Sequence, residues 1–318
     1  MPASLFSDYL WEQNMTKLSS ILVVVDPTVE RDFVVERAVA IAKLTNVKVT
    51  LFINHANTLA KNSYVYEGID GKFFETQQRL FEQHYRETLR SVSAQMTDAG
   101  IETTTEFNDS HNLAEAIIEK AKSGDYDLVM KSTHHHGAID RLLVTNTDWR
   151  LIRKCQIPLL MVKPYTWKPN GAIVTAVDPM HVKAEQSALD KRLLETAQAL
   201  AHQLAQTPHV FHSYFPFESA LFPLAGESAE HIARIKQQHQ VKLNELLIGY
   251  GFNRSNVHLS KGELVPSLLH LLKQTQANLL VIGALSRNAL ERAIVGNTAE
   301  KILETCPCDV LVTKTSAR

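Results

Sequence analysis

Two glycines near the C-terminal end of the chain are placed so that they could hold a phosphate group. Gly283 ends the apolar run that begins at Leu279, and Gly296 stands directly before Asn297 and Thr298. Glycine lets a ligand come close to the backbone, and a helix that begins at Asn297 and Thr298 directs free N–H groups and its positive dipole end toward an anion. The pattern therefore predicts a phosphate cradle.

A carboxylate follows another apolar run of the same half of the chain. Asp178 comes after Ala176 and Val177 and before Pro179. An acidic residue at the end of a strand accepts hydrogen bonds from a ribose or a base edge in dinucleotide folds, but Asp before Pro is also an ordinary turn former. We favour ligand contact for Asp178, whereas for Asp26, which stands before Pro27, neither interpretation is preferred.

Clusters of histidines and cysteines could bind a metal ion, but their spacing here does not favour a metal site. His134, His135 and His136 are consecutive, so their side chains do not project toward one point, and helical ligand pairs are spaced i, i+4. Cys306 and Cys308 have no second cysteine pair with which to complete a site. We therefore expect loop histidines, a turn at the cysteines and no metal.

Composition and net charge indicate which binding partners and which cellular compartment to expect. Lys and Arg number 33 against 34 for Asp and Glu, a net charge of −1, so the chain has no strong field to recruit nucleic acid or an anionic membrane. Its longest apolar runs are far shorter than the roughly 20 residues of a membrane span, and its three cysteines form no disulfide framework. We expect a cytoplasmic protein with a small-molecule partner, no nucleic acid partner and no membrane span.

The sequence contains an internal repeat, so the two halves of the chain correspond to each other. The run from Ile21 to Pro27 reappears as Ile173 to Pro179, and Cys155 corresponds to Cys306. Each half reads as five short apolar runs alternating with helix-period segments, which predicts a parallel α/β sheet with helices on both faces. The predicted domains are residues 18–163 and 172–316, joined by a short linker at 164–171.

In such sheets a ligand binds outside the carboxyl ends of the strands, where the strand order reverses. If the first and fourth strands of the second half are neighbours there, Asp178 and Gly283 face one crevice, together with Ala176, Val177 and Ile282. Long connections at 54–74 and 212–228 follow the second strand of each half, and loops of this length tend to be functional. The second connection is apolar, which fits either buried packing between the halves or an apolar extension of the pocket.

The second half resembles the universal stress protein family, whose nucleotide-binding members carry G-x2-G-x9-G-[ST] after the fourth strand. This chain has G-x2-S-x9-G-N, with Ser286 and Asn297 departing from the pattern, and the likeness covers about residues 18 to 316. The resemblance implies two tandem Rossmann-like domains, each a five-stranded parallel sheet flanked by helices, packed as an intrachain pseudo-dimer. It also implies that Asp178 contacts the ribose or base, and that the phosphate path is lined by Gly283, Ser286, Gly296, Asn297 and Thr298.

The first half departs further from that pattern. Lys131 and His134 stand where the loop glycines would be, and Thr145 replaces the glycine before the helix. The simpler interpretation is a degenerate site, formed by Asp26, Lys131, His134, Asn146 and Thr147. The alternative is that Lys131 refits the pocket for a different anion.

Three functions remain open on the sequence. The first is a regulatory, non-catalytic stress-response protein that binds a nucleotide such as ATP or AMP in its second domain and requires no cofactor. The second is a binder of an amphipathic nucleotide-linked or lipid-bearing metabolite, and the third is a weak nucleotide hydrolase. A Lys-Ser/Thr P-loop is missing, which argues against the third. The chain is expected to act as a monomeric pseudo-dimer or as a homodimer, and the role of the residues before Met15 stays open.

Overall fold

The structure is a computed structural model that describes residues 18–29, 31–55, 71–110, 112–133, 144–181, 184–215, 229–284 and 297–314. The chain divides into two compact units, and the division falls between Thr166 and Trp167. We call them the first and the second domain and describe each by itself. No helix within the described ranges combines the length and the apolar character needed to cross a membrane.

The first domain alternates strands and helices. Its elements, in chain order, are β1 Ser20–Val24, α1 Phe33–Thr45, β2 Lys48–Asn54, α2 Gly71–Asp98, β3 Thr103–Asn108, α3 Leu113–Ser123, β4 Leu128–Ser132, α4 Asn146–Lys154 and β5 Leu159–Val162. Its strands are parallel and lie in the order β3-β2-β1-β4-β5. The order therefore reverses between β1 and β4.

The second domain repeats this plan. Its elements are β6 Ala172–Ala176, α5 Ala184–Gln203, β7 Thr207–Tyr214, α6 Ala229–Leu246, a short 3-10 turn Arg254–Asn256, β8 Val257–Lys261, α7 Leu264–Gln274, β9 Leu279–Gly283, α8 Asn297–Thr305 and β10 Asp309–Thr313. The parallel order is β8-β7-β6-β9-β10. Because β6 and β9 are neighbours, with Thr175 opposite Val281, the reversal lies where the sequence places it.

The local sequence explains these elements. The central strands are almost wholly buried, as expected of apolar runs in a sheet covered on both faces. Gly100 takes a left-handed φ of 77° directly beyond the end of α2, the position where glycine commonly terminates a helix, whereas Gly251, with a φ of 66°, lies in the loop well beyond Leu246 at the end of α6. The apolar stripe of α5 from Leu189 to Leu200 is buried. The prediction of two tandem five-stranded α/β domains is confirmed, while their pseudo-dimer packing stays a prediction.

The predicted linker belongs partly to each domain. Arg37 on α1 donates a 2.8 Å hydrogen bond to the carbonyl of Tyr165, which holds that residue to the first domain. Trp167 donates its indole N–H to the buried carboxylate of Asp309 at 2.8 Å, within the second domain. Asn278 exchanges two further hydrogen bonds with the backbone of Lys168. Specific contacts therefore hold each end of this segment to its own domain.

The helices that follow the first strand of each domain differ in length. In the first domain α1 has 13 residues and begins after Asp32, whose carboxylate accepts a hydrogen bond from the N–H of Val34. In the second domain α5 has 20 residues. The additional turns bring Leu189 against the end of β9, where the candidate site lies.

Candidate functional site

Asp178 lies directly beyond β6 at the carboxyl edge of the second sheet. Its Oδ1 accepts a hydrogen bond from the N–H of Met180 at 3.2 Å, so it forms the turn that the sequence allowed. Its Oδ2 lies 3.6 Å from Nδ1 of His181, and the side chain is 54% exposed. The two roles considered for Asp178 are therefore compatible, because one carboxylate oxygen shapes the turn while the side chain stays accessible.

A second carboxylate supports Asp178 from α5. Asp190 is buried and accepts a hydrogen bond from the N–H of Asp178 at 3.3 Å. Burial raises the pKa of Asp190 to about 6, although the Asp178 N–H and the nearby imidazole of His181 favour its charged form. Asp190 was not predicted from the sequence, where it is one of several acidic residues in a helical segment.

The strand-end residues predicted beside Asp178 contribute mainly backbone. Val177 and Ile282 are buried, and the N–H of Val177 donates to the carbonyl of Phe211 at 3.0 Å. Ala176 is half-buried. Their side chains fill the core, so any ligand contact at these positions is to main-chain atoms.

Close packing against a neighbouring helix requires a residue without a side chain at Gly283. A Cβ atom built there would come within 2.5 Å of Cδ2 of Leu189 on α5. The sequence pattern assigns this space to a ligand, whereas on this face the helix side chain takes it. Lys131 fits at the corresponding place in the first domain, where α1 is shorter.

The predicted phosphate cradle is described in part. Helix α8 begins at Asn297, and Thr298 in its first turn is exposed. The helix thus starts where the spacing predicted, with an accessible residue at its positive end. Ser286, Gly296 and His134 lie outside the described residues, as does most of the 212–228 connection.

The counterpart of Asp178 in the first domain is Asp26, which forms hydrogen bonds with residues of its own domain. Oδ1 of Asp26 accepts from both the N–H and the hydroxyl of Thr28, at 2.9 and 2.6 Å. The N–H of Asp26 donates to Asp32, which also accepts from the hydroxyl of Ser132 on β4. Burial raises the pKa of Asp32, with smaller opposing effects from these hydrogen bonds. Oδ1 of Asp26 therefore shapes a turn, as Oδ1 of Asp178 does, and contact of Asp26 with a ligand stays untested.

Lys131 is bound within the protein. Its ammonium lies 2.9 Å from Oδ1 of Asp148 and donates to the carbonyl of Ser132 at 2.9 Å, and both charged side chains are buried. Asp148 also forms a reciprocal capping box with Thr145 at the start of α4. Asn146 and Thr147 begin that helix.

The two domains differ at both members of this ion pair. By the repeat, Gly283 stands where Lys131 does, and Ala299 stands where Asp148 does. The first domain therefore places a neutralised pair of charges between β4 and α4, whereas the residues at these two positions of the second domain, Gly283 and Ala299, carry no charge. This arrangement favours the degenerate-site interpretation for the first domain, because its lysine already has an anionic partner.

A pair of histidines at the carboxyl end of β7 was not predicted. His212 is buried, and its ring lies 5.0 Å from that of His239 on α6, in a stacked arrangement. His212 Nε2 and His239 Nδ1 are 2.7 Å apart. The sequence offers one sign of this pair. His212 interrupts an otherwise apolar strand at the position that Ile53 occupies in the first half.

Metal binding finds no support among the described residues, in which no three His, Cys, Asp or Glu side chains are grouped to hold an ion. Cys306 and Cys308 are buried with their sulfurs 3.4 Å apart, between the end of α8 and β10. This is the strand-entry position that the sequence favoured. His134, His135 and His136 are not among the described residues.

The fold and the two points of strand-order reversal define a protein of two tandem α/β domains, and comparison with known proteins identifies the family. The model of the universal stress protein family matches residues 17–163 and again 171–314. The chain belongs to the universal stress protein family.

Relatives of the chain carry names from the same family. A universal stress protein E homolog of Haemophilus influenzae is 28% identical over 312 residues, which cover 95% of this chain and 99% of that protein. Universal stress protein E of Escherichia coli is 33% identical over 206 residues, or 63% of this chain and 64% of that one.

Solved structures show the same fold over nearly the full length. A functionally unknown protein of Pseudomonas aeruginosa aligns with a TM-score of 0.71 at 23% identity, covering 94% of this chain and 93% of the other. A universal stress protein from Archaeoglobus fulgidus aligns with a TM-score of 0.65 at 16% identity, covering 93% and 98%.

Proposed function

We propose that this chain is a regulatory, non-catalytic stress-response protein that binds one nucleotide-type ligand in its second domain. The observation that carries the proposal is the adjacency of β6 and β9, which brings Asp178 to the same edge of the sheet as the segment leading to α8. In parallel sheets this reversal point is where nucleotides bind.

The ligand chemistry follows from the two ends of the site. The start of α8 offers free N–H groups and the positive end of a helix dipole, which suit a phosphate. Asp178, accessible beyond β6, offers a carboxylate oxygen to ribose hydroxyls. In the first domain Lys131 is neutralised by Asp148, which supports a stoichiometry of one ligand per chain.

The proposal is tested by native mass spectrometry of the purified protein and by calorimetric titration with AMP and with ATP. We expect one nucleotide per chain and loss of binding in the Gly296→Val variant, because the branched side chain fills the predicted cradle.

Thr145→Val in the first domain is the matched control. It removes the hydroxyl of the capping box and is expected to lower stability by about 1 kcal/mol while leaving nucleotide affinity unchanged. Binding that survives Gly296→Val places the ligand elsewhere, and the absence of any nucleotide binding refutes the proposal.

A further inference from the structure

The hydrogen bonds of the histidine pair fix which ring nitrogens carry protons. His212 Nδ1 lies 3.1 Å from the carbonyl oxygen of Val177, and a carbonyl only accepts. Nδ1 of His212 therefore carries the proton, and its Nε2 accepts. His239 Nδ1, 2.7 Å from that Nε2, must then donate. In the neutral pair, Nε2 of His239 is left as an acceptor, and it makes no hydrogen bond to any residue that the structure describes.

The pair is not a requirement of the fold. His212 is 4% exposed, and the first domain has the fully buried Ile53 at the corresponding strand position. An aliphatic side chain there avoids burying polar atoms, which are costly unless they are hydrogen-bonded. His212 instead provides a hydrogen-bond partner that fixes the orientation of the His239 ring.

The location of the pair matches one part of a nucleotide. Base, ribose and phosphate follow one another in the molecule, and the proposed site has phosphate at α8, after β9, and ribose at Asp178, after β6. The base then extends across β6 toward the carboxyl end of β7. His212 lies at that end, and the ring of Tyr214 lies 5.4 Å from that of His239.

We propose that His239 is a specificity-determining residue that selects amino-substituted nucleobases, such as adenine, by accepting a hydrogen bond from the exocyclic amino group at Nε2. The inference rests on the proposed function, since it assigns the base end of the same site. A base with no hydrogen-bond donor at that position leaves the acceptor unpaired and binds more weakly.

The protonation state of the pair supports this role near neutral pH. Burial lowers the pKa of both His212 and His239, and Asp178 opposes that effect, so both rings are neutral at pH 7. Among the described residues, the ionisable groups near the pair include His181 beyond β6, Asp190 on α5, Tyr214 on β7 and Lys261 opposite Tyr214 on β8. Lys236 and Lys242 lie three residues from His239 on α6 itself. In acid, a proton on Nε2 of His239 converts the acceptor into a donor.

The test is calorimetric titration with AMP and with purine riboside 5′-monophosphate, which lacks the amino group, at pH 7.5. We expect the wild-type protein to prefer AMP about tenfold, the effect of one hydrogen bond. His239→Leu should remove the preference while keeping affinity for the amino-free nucleotide, and the wild-type preference should fall as the pH is lowered and His239 becomes protonated.

Two further variants keep the test independent of folding defects. His212→Ile installs the residue of the first domain, leaves His239 in place without its anchor and should reduce the preference below about threefold. His258→Leu is the matched control, because His258 forms a second stacked pair with His209, 2.9 Å between ring nitrogens, in the same domain. That variant should keep the full preference.

The outcomes separate the two claims. If neither nucleotide binds the wild-type protein, the proposed function is refuted. If both bind equally well, or if the preference for AMP survives His239→Leu or remains complete in His212→Ile, the nucleotide site stands and the role of His239 is wrong.

Discussion

The ion pair between Lys131 and Asp148 should contribute to the stability of the first domain. The size of that contribution also tests whether Lys131 is available to bind an external anion. Lys131 is 4% exposed and Asp148 is fully buried, so neither charge has access to bulk water. Lys131→Met keeps most of the side-chain volume and leaves a buried carboxylate without its cation. Removing one partner of a buried pair costs about 3 to 5 kcal/mol. Because Asp148 keeps its hydrogen bonds to Thr145, we expect the lower end of that range, about 3 kcal/mol.

The assay is urea-induced unfolding combined with hydrogen exchange, because two domains need not unfold in one transition. Exchange in peptides from β4 reports the first domain, and exchange in peptides from β9 reports the second. The loss should appear in β4 and leave β9 unchanged. Lys131→Met/Asp148→Leu should recover most of the loss, because the unpaired charge is then removed.

Lys154→Met is the matched control for a surface pair. Lys154 lies 2.7 Å from Glu115, with 53% and 34% of the side chains exposed, and pairs of this kind contribute about 0 to 1 kcal/mol. If Lys131→Met costs no more than Lys154→Met, the lysine is not committed to Asp148. The first site is then open to an external anion, and the degenerate-site interpretation of the first domain is wrong.

Two further predictions concern the second domain. The pKa of Asp190 is about 6 in the folded protein, above its ordinary value of 3.8, so this group lowers stability as the pH rises from about 4 to 6 and has no further effect above that. Asp190→Asn should remove this dependence, gaining up to about 3 kcal/mol relative to the wild type between pH 4 and pH 8 in urea unfolding; parallel pH profiles would exclude the assignment. Gly283→Ala should cost about 1 to 3 kcal/mol because its Cβ meets Leu189, and the loss should be smaller when Leu189→Ala is already present. Additive losses would show that the two residues do not compete for the same space.

Much of the fold could be predicted from the sequence because its signals are local and duplicated. Buried strands are short apolar runs, Pro27 and Pro179 mark where β1 and β6 must end, and Gly100 adopts the backbone that terminates a helix. The sequence argument took the adjacency of β6 and β9 as a condition, and the structure meets that condition.

Features that depend on partners distant in the sequence could not be predicted. Nothing in the run around Lys131 shows that Asp148 neutralises it, and nothing around Gly283 shows that Leu189 of a longer helix lies over it. The histidine pair joins a strand to a helix 27 positions away, and its meaning depends on a carbonyl of a third element. Such sites become readable only when tertiary packing sets the distances.

The number and location of nucleotides bound per chain decide whether the second domain holds the ligand. Calorimetric titration with AMP should give one site in the wild-type protein, one site in Lys131→Met and none in Gly296→Val. Two sites in the wild-type protein, or one site that disappears in Lys131→Met and persists in Gly296→Val, would contradict the assignment of the ligand to the second domain.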